Sequence, residues 1–292
     1  MSAGASRFNL SSRIFGALSA LPFTLVMLFG FVAPLICVVW FSFMPAHTFE
    51  LLNRPTLENY QTVFGQTYWR SLLSSVLLAV ATVVILLVIC YPLAFALAKI
   101  FNKFATFITY AIAVSLFVSE NIRLYGWVLG LMDNGVLAGT LALFGIKAGS
   151  MLYNVPIIVL GMVYVYLPFM LFPLILGLQM VPDQVREAAF DLGASRWQVF
   201  RKIDVPLSMP GIIIGSLLTF VLALGALAEA KVMGGQKIIS IAAEIESEFT
   251  YGQNWPLGSA LSTLLIALTT VLVFIALSRL DLEKLLGRSR EP

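Results

Sequence analysis

Charge is scarce in this sequence, and so are the residues that usually do chemistry. Only 11% of its 292 residues are charged, His47 is the one histidine, and Cys37 and Cys90 are the two cysteines. No cluster of Cys, His and carboxylates has metal-ligand spacing, so no metal site is expected. GxSxG, HExxH and a Ser/His/Asp set that could assemble are all missing, which leaves no catalytic residue to nominate and points away from an enzyme. The GxxxxGK[ST] phosphate loop is missing too, so any ATP that serves this chain would be bound by a partner. The ten-residue alternating segments of a membrane barrel are absent. The start, "MSAGASRFNLSSRIFGALSALPF", has no A-x-A-like cleavage site close behind a short apolar core, so the first apolar run is expected to be retained.

What is abundant is apolar surface. Hydrophobic residues make up 60% of the chain and the mean hydropathy is +0.94, far above soluble domains. Such an excess must face lipid or other membrane helices, which defines an all-α, multi-pass membrane protein. Stretches free of Asp, Glu, Lys and Arg and long enough to span the ~30 Å hydrocarbon layer fall at residues 21–43, 71–98, 148–180, 207–228 and 249–278. A further span is broken: 104–119 is apolar, "SENIRLYGW" then puts Glu120 and Arg123 at membrane depth, and 124–132 resumes. Six transmembrane helices are therefore expected. Within these spans the two cysteines act as small hydrophobes. Gly126 with Gly130, and Gly211 with Gly215, each offer a small face for close helix approach.

Lys and Arg collect on one side of this scheme. With both termini inside, the cytoplasm receives Arg7, Arg13, Lys99, Lys103, Arg186, Arg196, Arg201, Lys202, Arg279, Lys284, Arg288 and Arg290, twelve of the 18 basic residues. Topology thus accounts for the formal net charge of +3, and no nucleic-acid partner is called for. The expected organisation is a cytoplasmic tail at 1–20, a six-helix domain at 21–282 and a second tail at 283–292, in contact with membrane lipid.

The longest charged segment lies between two apolar runs, "REAAFDLGASRWQVFRKIDVPLSMPG". Asp183 can cap a short helix whose apolar positions Val185, Ala188, Ala189 and Leu192 recur at helical spacing. Gly193 stops that helix. Ser195 and Gln198 have capping-box spacing for a second one, with Trp197, Phe200 and Ile203 on its apolar side, and Pro206 opens the next span. Anchoring a loop needs only a few cations. The two alanines flanked by charge instead offer a knob-free surface suited to insertion into a groove of another protein.

Glu187, Ala188, Ala189, Gly193, Ile203 and Pro206 fall on the positions of the EAA motif of ABC-importer permeases, with Val205 where leucine is commoner. The chain resembles that family over nearly its whole length, and within it the spermidine/putrescine permeases of the first-permease type. "FVAPLICVVWFSF", "IRLYGW", "VYLPFM", "VPLSMPGI", Gly234-Gly235 and "NWPLGSALS" are also similar. Two departures stand out: Ser115 occupies a position where relatives commonly have proline, and Glu120 is unusual.

The resemblance implies a type I ABC importer permease fold in a bacterial inner membrane and an EAA loop spanning 182–206. That loop would dock on an ATPase, with Arg186, Glu187, Ala188, Ala189, Asp191, Gly193, Ile203 and Pro206 as the coupling set. It also implies a second homologous permease, two cytoplasmic ATPase subunits that hold ATP and Mg, and an extracytoplasmic (periplasmic) substrate-binding protein. The implied cargo is a polyamine or a related small amine, opine or amino-acid derivative.

Charges at membrane depth cost at least ~2.5–3.5 kcal/mol unless they are paired or wet, so they are candidates for the substrate path. Glu120 and Arg123, three apart, can neutralise each other or line that path, with Trp127 on the same face. Glu229, Lys231, Glu244, Glu246, Glu248, Tyr251 and Trp255 lie in the outer segment between the last two spans. Carboxylates among aromatics suit a cationic amine, although Lys231 and Lys237 are near enough to pair with them. Glu244, Glu246 and Glu248 share a side only on an extended backbone. An ion-coupled secondary transporter, using Glu120 and Glu229, is the competing reading, but it has no need of an EAA loop.

Overall fold

The computed structural model describes residues 19–50, 52–101, 103–133, 135–145, 149–235 and 237–278. The expected tails, apart from residues 19 and 20, and the basic residues counted in them lie outside that range. All regular elements among the described residues are helical. Among the described residues five helices are long and apolar enough to cross a membrane: Ser19–Phe41 (α1), Tyr68–Ile100 (α3), Glu120–Leu143, Val155–Gln179 (α7) and Trp255–Ser278 (α13). The pair Arg196–Leu207 (α9) and Met209–Leu224 (α10), bent by 64°, reaches that length and apolarity only when taken together, which brings the number to at most six. Between these lie Glu58–Gly65 (α2), Lys103–Ser115 (α4), Asp183–Asp191 (α8), Ala228–Gly234 (α11) and Ile241–Thr250 (α12). Glu120–Leu143 comprises α5, Glu120–Leu131, and α6, Val136–Leu143.

Two sequence expectations shift here. The break in the third span falls at residues 116–119, and α5 starts at Glu120, with Ser119 in the N-cap position, four residues earlier than the apolar pattern suggests. After the charged segment the helix breaks at Ser208, and α10 begins at Met209 with Pro210 in its first turn, while Pro206 lies in α9. Proline suits a first turn because its missing N–H is unneeded there, a rule Pro210 satisfies; Pro206 instead lies in the last turn of α9, just before the bend.

The chain divides into two compact units, residues 1–65 with 247–264, and 66–246 with 265–292. In the first, α1 is exposed on nearly all sides, as a helix bathed in lipid would be. Its C-terminal turn is tied down by Asn59, whose amide donates to the carbonyls of Ser42 (2.9 Å) and Met44 (2.7 Å). Phe41, Phe49 and Phe249 surround Trp255 with centroids 6.4, 5.6 and 6.0 Å away. Asn254 Oδ1 accepts from the N–H of His47 (3.1 Å) and from that of Leu257 (3.4 Å), so one amide caps α13 and holds the loop over it.

The second unit is built on α3, α7 and α10, which pack mutually. Glycines let α7 and α10 meet backbone to backbone. A Cβ on Gly177 would come within 2.8 Å of Gly211 Cα, and one on Gly215 within 3.1 Å of the Met170 carbonyl. By contrast nothing lies within 4 Å of a Cβ on Gly126 or Gly130, so that small-residue face has no neighbour among the described residues. Asn154 caps α7, accepting from the Ile157 N–H at 3.1 Å. α11 packs on α7 and α5, with Met233 and Leu124 closing around Gly161.

Candidate functional site

The charged segment is a helix, a glycine bend and a second helix. Asp183 is the first residue of α8, not its cap. Pro182 takes the cap position, where its ring has no atom to accept a bond, and the Asp183 carboxylate is engaged by Lys99. Gly193, at φ +84°, ends the helix in the left-handed region. The Gly193 N–H donates to Phe190 O (2.9 Å) and the Ala194 N–H to Ala189 O (3.0 Å), the paired bonds of a Schellman stop. The second helix opens with a reciprocal capping box. Ser195 Oγ accepts from the Gln198 N–H at 3.3 Å, and Gln198 Oε1 from the Ser195 N–H at 2.8 Å.

α8 turns much of its apolar side outward. Val185, Phe190 and Leu192 are exposed, Leu192 by 90%, and Trp197 on the next helix is 66% exposed. Glu187, Ala188, Asp191, Gly193 and Pro206 are also exposed; Ala189 and Ile203 are half-buried. An apolar surface of this kind, with charge at its rim, is what a protein partner covers.

Arg186 behaves differently from the rest of the set. Its side chain folds inward, 19% exposed, with Nε 3.0 Å from Oδ1 of the buried Asp204 and a second nitrogen 3.7 Å from Asp183. The Nε–Asp204 contact is an ion pair without hydrogen-bond alignment, and the guanidinium also lies over Phe95, 5.2 Å from the ring centroid. Lys99 at the end of α3 donates to the Val181 carbonyl and to Asp183 Oδ1, both at 2.7 Å. The Lys99 hydrogen bond and charge hold the Asp183 carboxyl below its ordinary range. Lys99, Asp183 and Asp204 were outside the motif-based set. The sequence marks Asp183 as a helix cap and Lys99 as a charge at a span end, and neither reading foretells their contact.

The candidate substrate-path residues do not converge on one point. Glu120, Lys231 and Glu246 line a cleft of about 780 Å³ with Asn121, Tyr125 and Tyr153. There Lys231 and Glu246 form an ion pair. Arg123 forms no pair with Glu120. It lies over Tyr164, 5.9 Å from the ring, beside a separate cavity of about 350 Å³ that includes Ser115. Trp127 meets the same tyrosine edge to face at 5.7 Å. Glu229 is fully buried. Glu244 accepts from Ser71 Oγ at 3.1 Å. Because α12 is helical, Glu244, Glu246 and Glu248 point in different directions. Trp255 is packed among three phenylalanines of the smaller unit, and Tyr251 is open.

An inward-tied, outward-apolar helix beside an all-helical core of membrane-spanning length is the arrangement of a multi-pass membrane protein with a surface open to a partner. Residues 71–282 match the family model described as "Binding-protein-dependent transport system inner membrane component", and the chain belongs to that family. It is 33% identical over 252 residues to the spermidine/putrescine transport system permease protein PotB of Haemophilus influenzae, covering 85% of this chain and 88% of the relative. Against the protein of the same name in Escherichia coli K12 the identity is 34%, over 81% and 86%. In structure it is similar to a chain of a bacterial ABC transporter that imports the acidic polysaccharide alginate, with TM-score 0.72 and 16% identity over 93% of this chain and 96% of that one. The fold is thus that of an ABC-importer permease, a transport subunit of the inner membrane.

Proposed function

We propose that this chain forms half of the translocation pathway of an ATP-driven polyamine importer. The observation that carries the substrate class is its identity to spermidine/putrescine permeases over more than four fifths of its length. The open apolar surface of α8 supports a docking role for Glu187, Ala188, Ala189, Asp191 and Gly193 on a cytoplasmic ATPase. Two such ATPases would bind ATP and Mg, a second permease would complete the pathway, and an extracytoplasmic binding protein would deliver the cargo. A solved relative of the fold is described in complex with an oligosaccharide-bound periplasmic protein, which fits that last role. Both termini would then be cytoplasmic. Nucleotide-driven closure of the ATPases would draw the coupling helices together and rock the spans from inward to outward opening.

The cleft holding Glu120 and Glu246, with Tyr125 and Tyr153, offers carboxylates and rings to an ammonium group. Arg123, Trp127, Glu229, Lys231, Glu244, Glu248, Tyr251 and Trp255 remain as further path candidates. Uptake of labelled spermidine by membrane vesicles carrying the whole importer is the test. Wild-type vesicles should accumulate it only with ATP, and Glu187→Arg or Gly193→Asp should abolish uptake while the chain still inserts. Uptake that survives ATP depletion and follows an ion gradient would overturn the reading.

A further inference from the structure

α8 has few means of staying in place. It is nine residues long, too short to be stable alone, and its exposed Val185, Phe190 and Leu192 bury little. What holds it is charge. Lys99, with its side chain 6% exposed, grips the first turn through Asp183 and the turn that follows α7 through the Val181 carbonyl. Arg186 reaches from the middle of α8 to Asp204, whose side chain is 3% exposed, and to the Phe95 ring on α3. The cluster therefore joins α3, α7, α8 and α9 at one point.

A second observation marks the same point. Lys99 lies in a widened π-type turn, Ala96–Ile100, and Asp204 in another, Phe200–Asp204. Inserting such a turn disturbs the regular helical ladder, and these turns gather where a side chain must be re-aimed for function. Each of the two supplies a buried member of the cluster.

We propose that Lys99, Asp183, Arg186 and Asp204 form the joint through which movement of α8 is passed to α3 and α7, so that they are positioning residues for coupling. The proposal rests on the ATPase-docking reading and deepens it. A helix seated in a partner but loosely tied to its own spans would shift without moving them. Its inward members, Lys99, Arg186 and Asp204, resist that slippage, because separating them leaves unpaired charge in a largely buried place, while the exposed Asp183 adds little.

The test uses the complete importer in proteoliposomes and reads substrate transported per ATP hydrolysed. Misfolding lowers transport and hydrolysis together and leaves this ratio alone. Asp204→Asn and Lys99→Met should lower the ratio by about tenfold, and Lys99→Arg, which keeps the cation, should hold it within about twofold of wild type. An unchanged ratio in both Asp204→Asn and Lys99→Met overturns the joint, as does a Lys99→Arg ratio as low as that of Lys99→Met. The docking reading fails separately, if the wild-type chain does not retain an ATPase on purification.

Discussion

Gly177 of α7 faces Gly211 of α10 so closely that a single methyl on either would collide with the other's backbone: a Cβ on Gly177 lies 2.8 Å from Gly211 Cα. Such contacts are how membrane helices associate without a hydrophobic driving force. Gly177→Ala and Gly211→Ala should each destabilise the folded chain by about 1–3 kcal/mol through overpacking. Gly126→Ala and Gly130→Ala, with open space around both, should not. Thermal unfolding of the four variants in detergent checks the contrast, and equal loss at all four positions would refute it.

That contrast also shows what sequence can and cannot tell. Both glycine pairs have the same spacing, and only the structure distinguishes the pair that meets a neighbour. The span count, the helix and bend around Gly193 and the Ser195 capping box follow from local patterns, whose physics is contained within a few residues. The inward turn of Arg186 does not. It depends on Lys99 and Asp204, 87 residues before it and 18 after it, brought together by packing. The helix start expected at Pro206 falls at Met209 for a related reason. Helix-start rules apply equally to Pro206 and Pro210, and the bend at Ser208 is a tertiary choice.

Gly193 has room for a side chain, with nothing within 4 Å of a built Cβ, so its constraint is conformational alone. At φ +84° a residue with a Cβ is strained by about 1–2 kcal/mol. Asn tolerates this region best among residues with a side chain. Gly193→Asn should therefore retain more uptake than Gly193→Val at equal expression. The reverse order would mean that size, not backbone angle, governs the position.

Asn254 serves two backbone donors, those of His47 and Leu257. Asn254→Ala should cost about 1–2 kcal/mol, typical of a lost helix cap. Asn254→Asp keeps the accepting oxygen and should lose less. Thermal midpoints of the two variants decide it, and identical midpoints would mean that the cap contributes nothing.

The Asp183 carboxyl titrates below its ordinary value because Lys99 donates to it and is positively charged beside it. A depressed folded pKa makes the contribution complete above the unfolded value of ~3.9 and lost as pH falls through the folded one. No dependence on this group is expected near neutrality. Its carboxylate is 66% exposed, so solvent screening holds the gain to about 0–1 kcal/mol. Asp183→Asn should accordingly change stability little at pH 7, and the gap between variant and wild type should close on acidification. A gap that widens on acidification would contradict the assigned sign.

Glu229 presents the opposite balance. It is fully buried with the Tyr166 hydroxyl beside it, yet neither carboxylate oxygen makes a well-aligned hydrogen bond. A buried polar group left in this way costs about 1–3 kcal/mol, and an apolar side chain of similar volume relieves that cost. Glu229→Met should therefore raise the thermal midpoint of the chain in detergent. If the carboxylate is retained for transport, the same variant should lose spermidine uptake while gaining stability, a combination that separates a functional residue from a structural one. A lowered midpoint would show instead that Glu229 holds α11 against its neighbours.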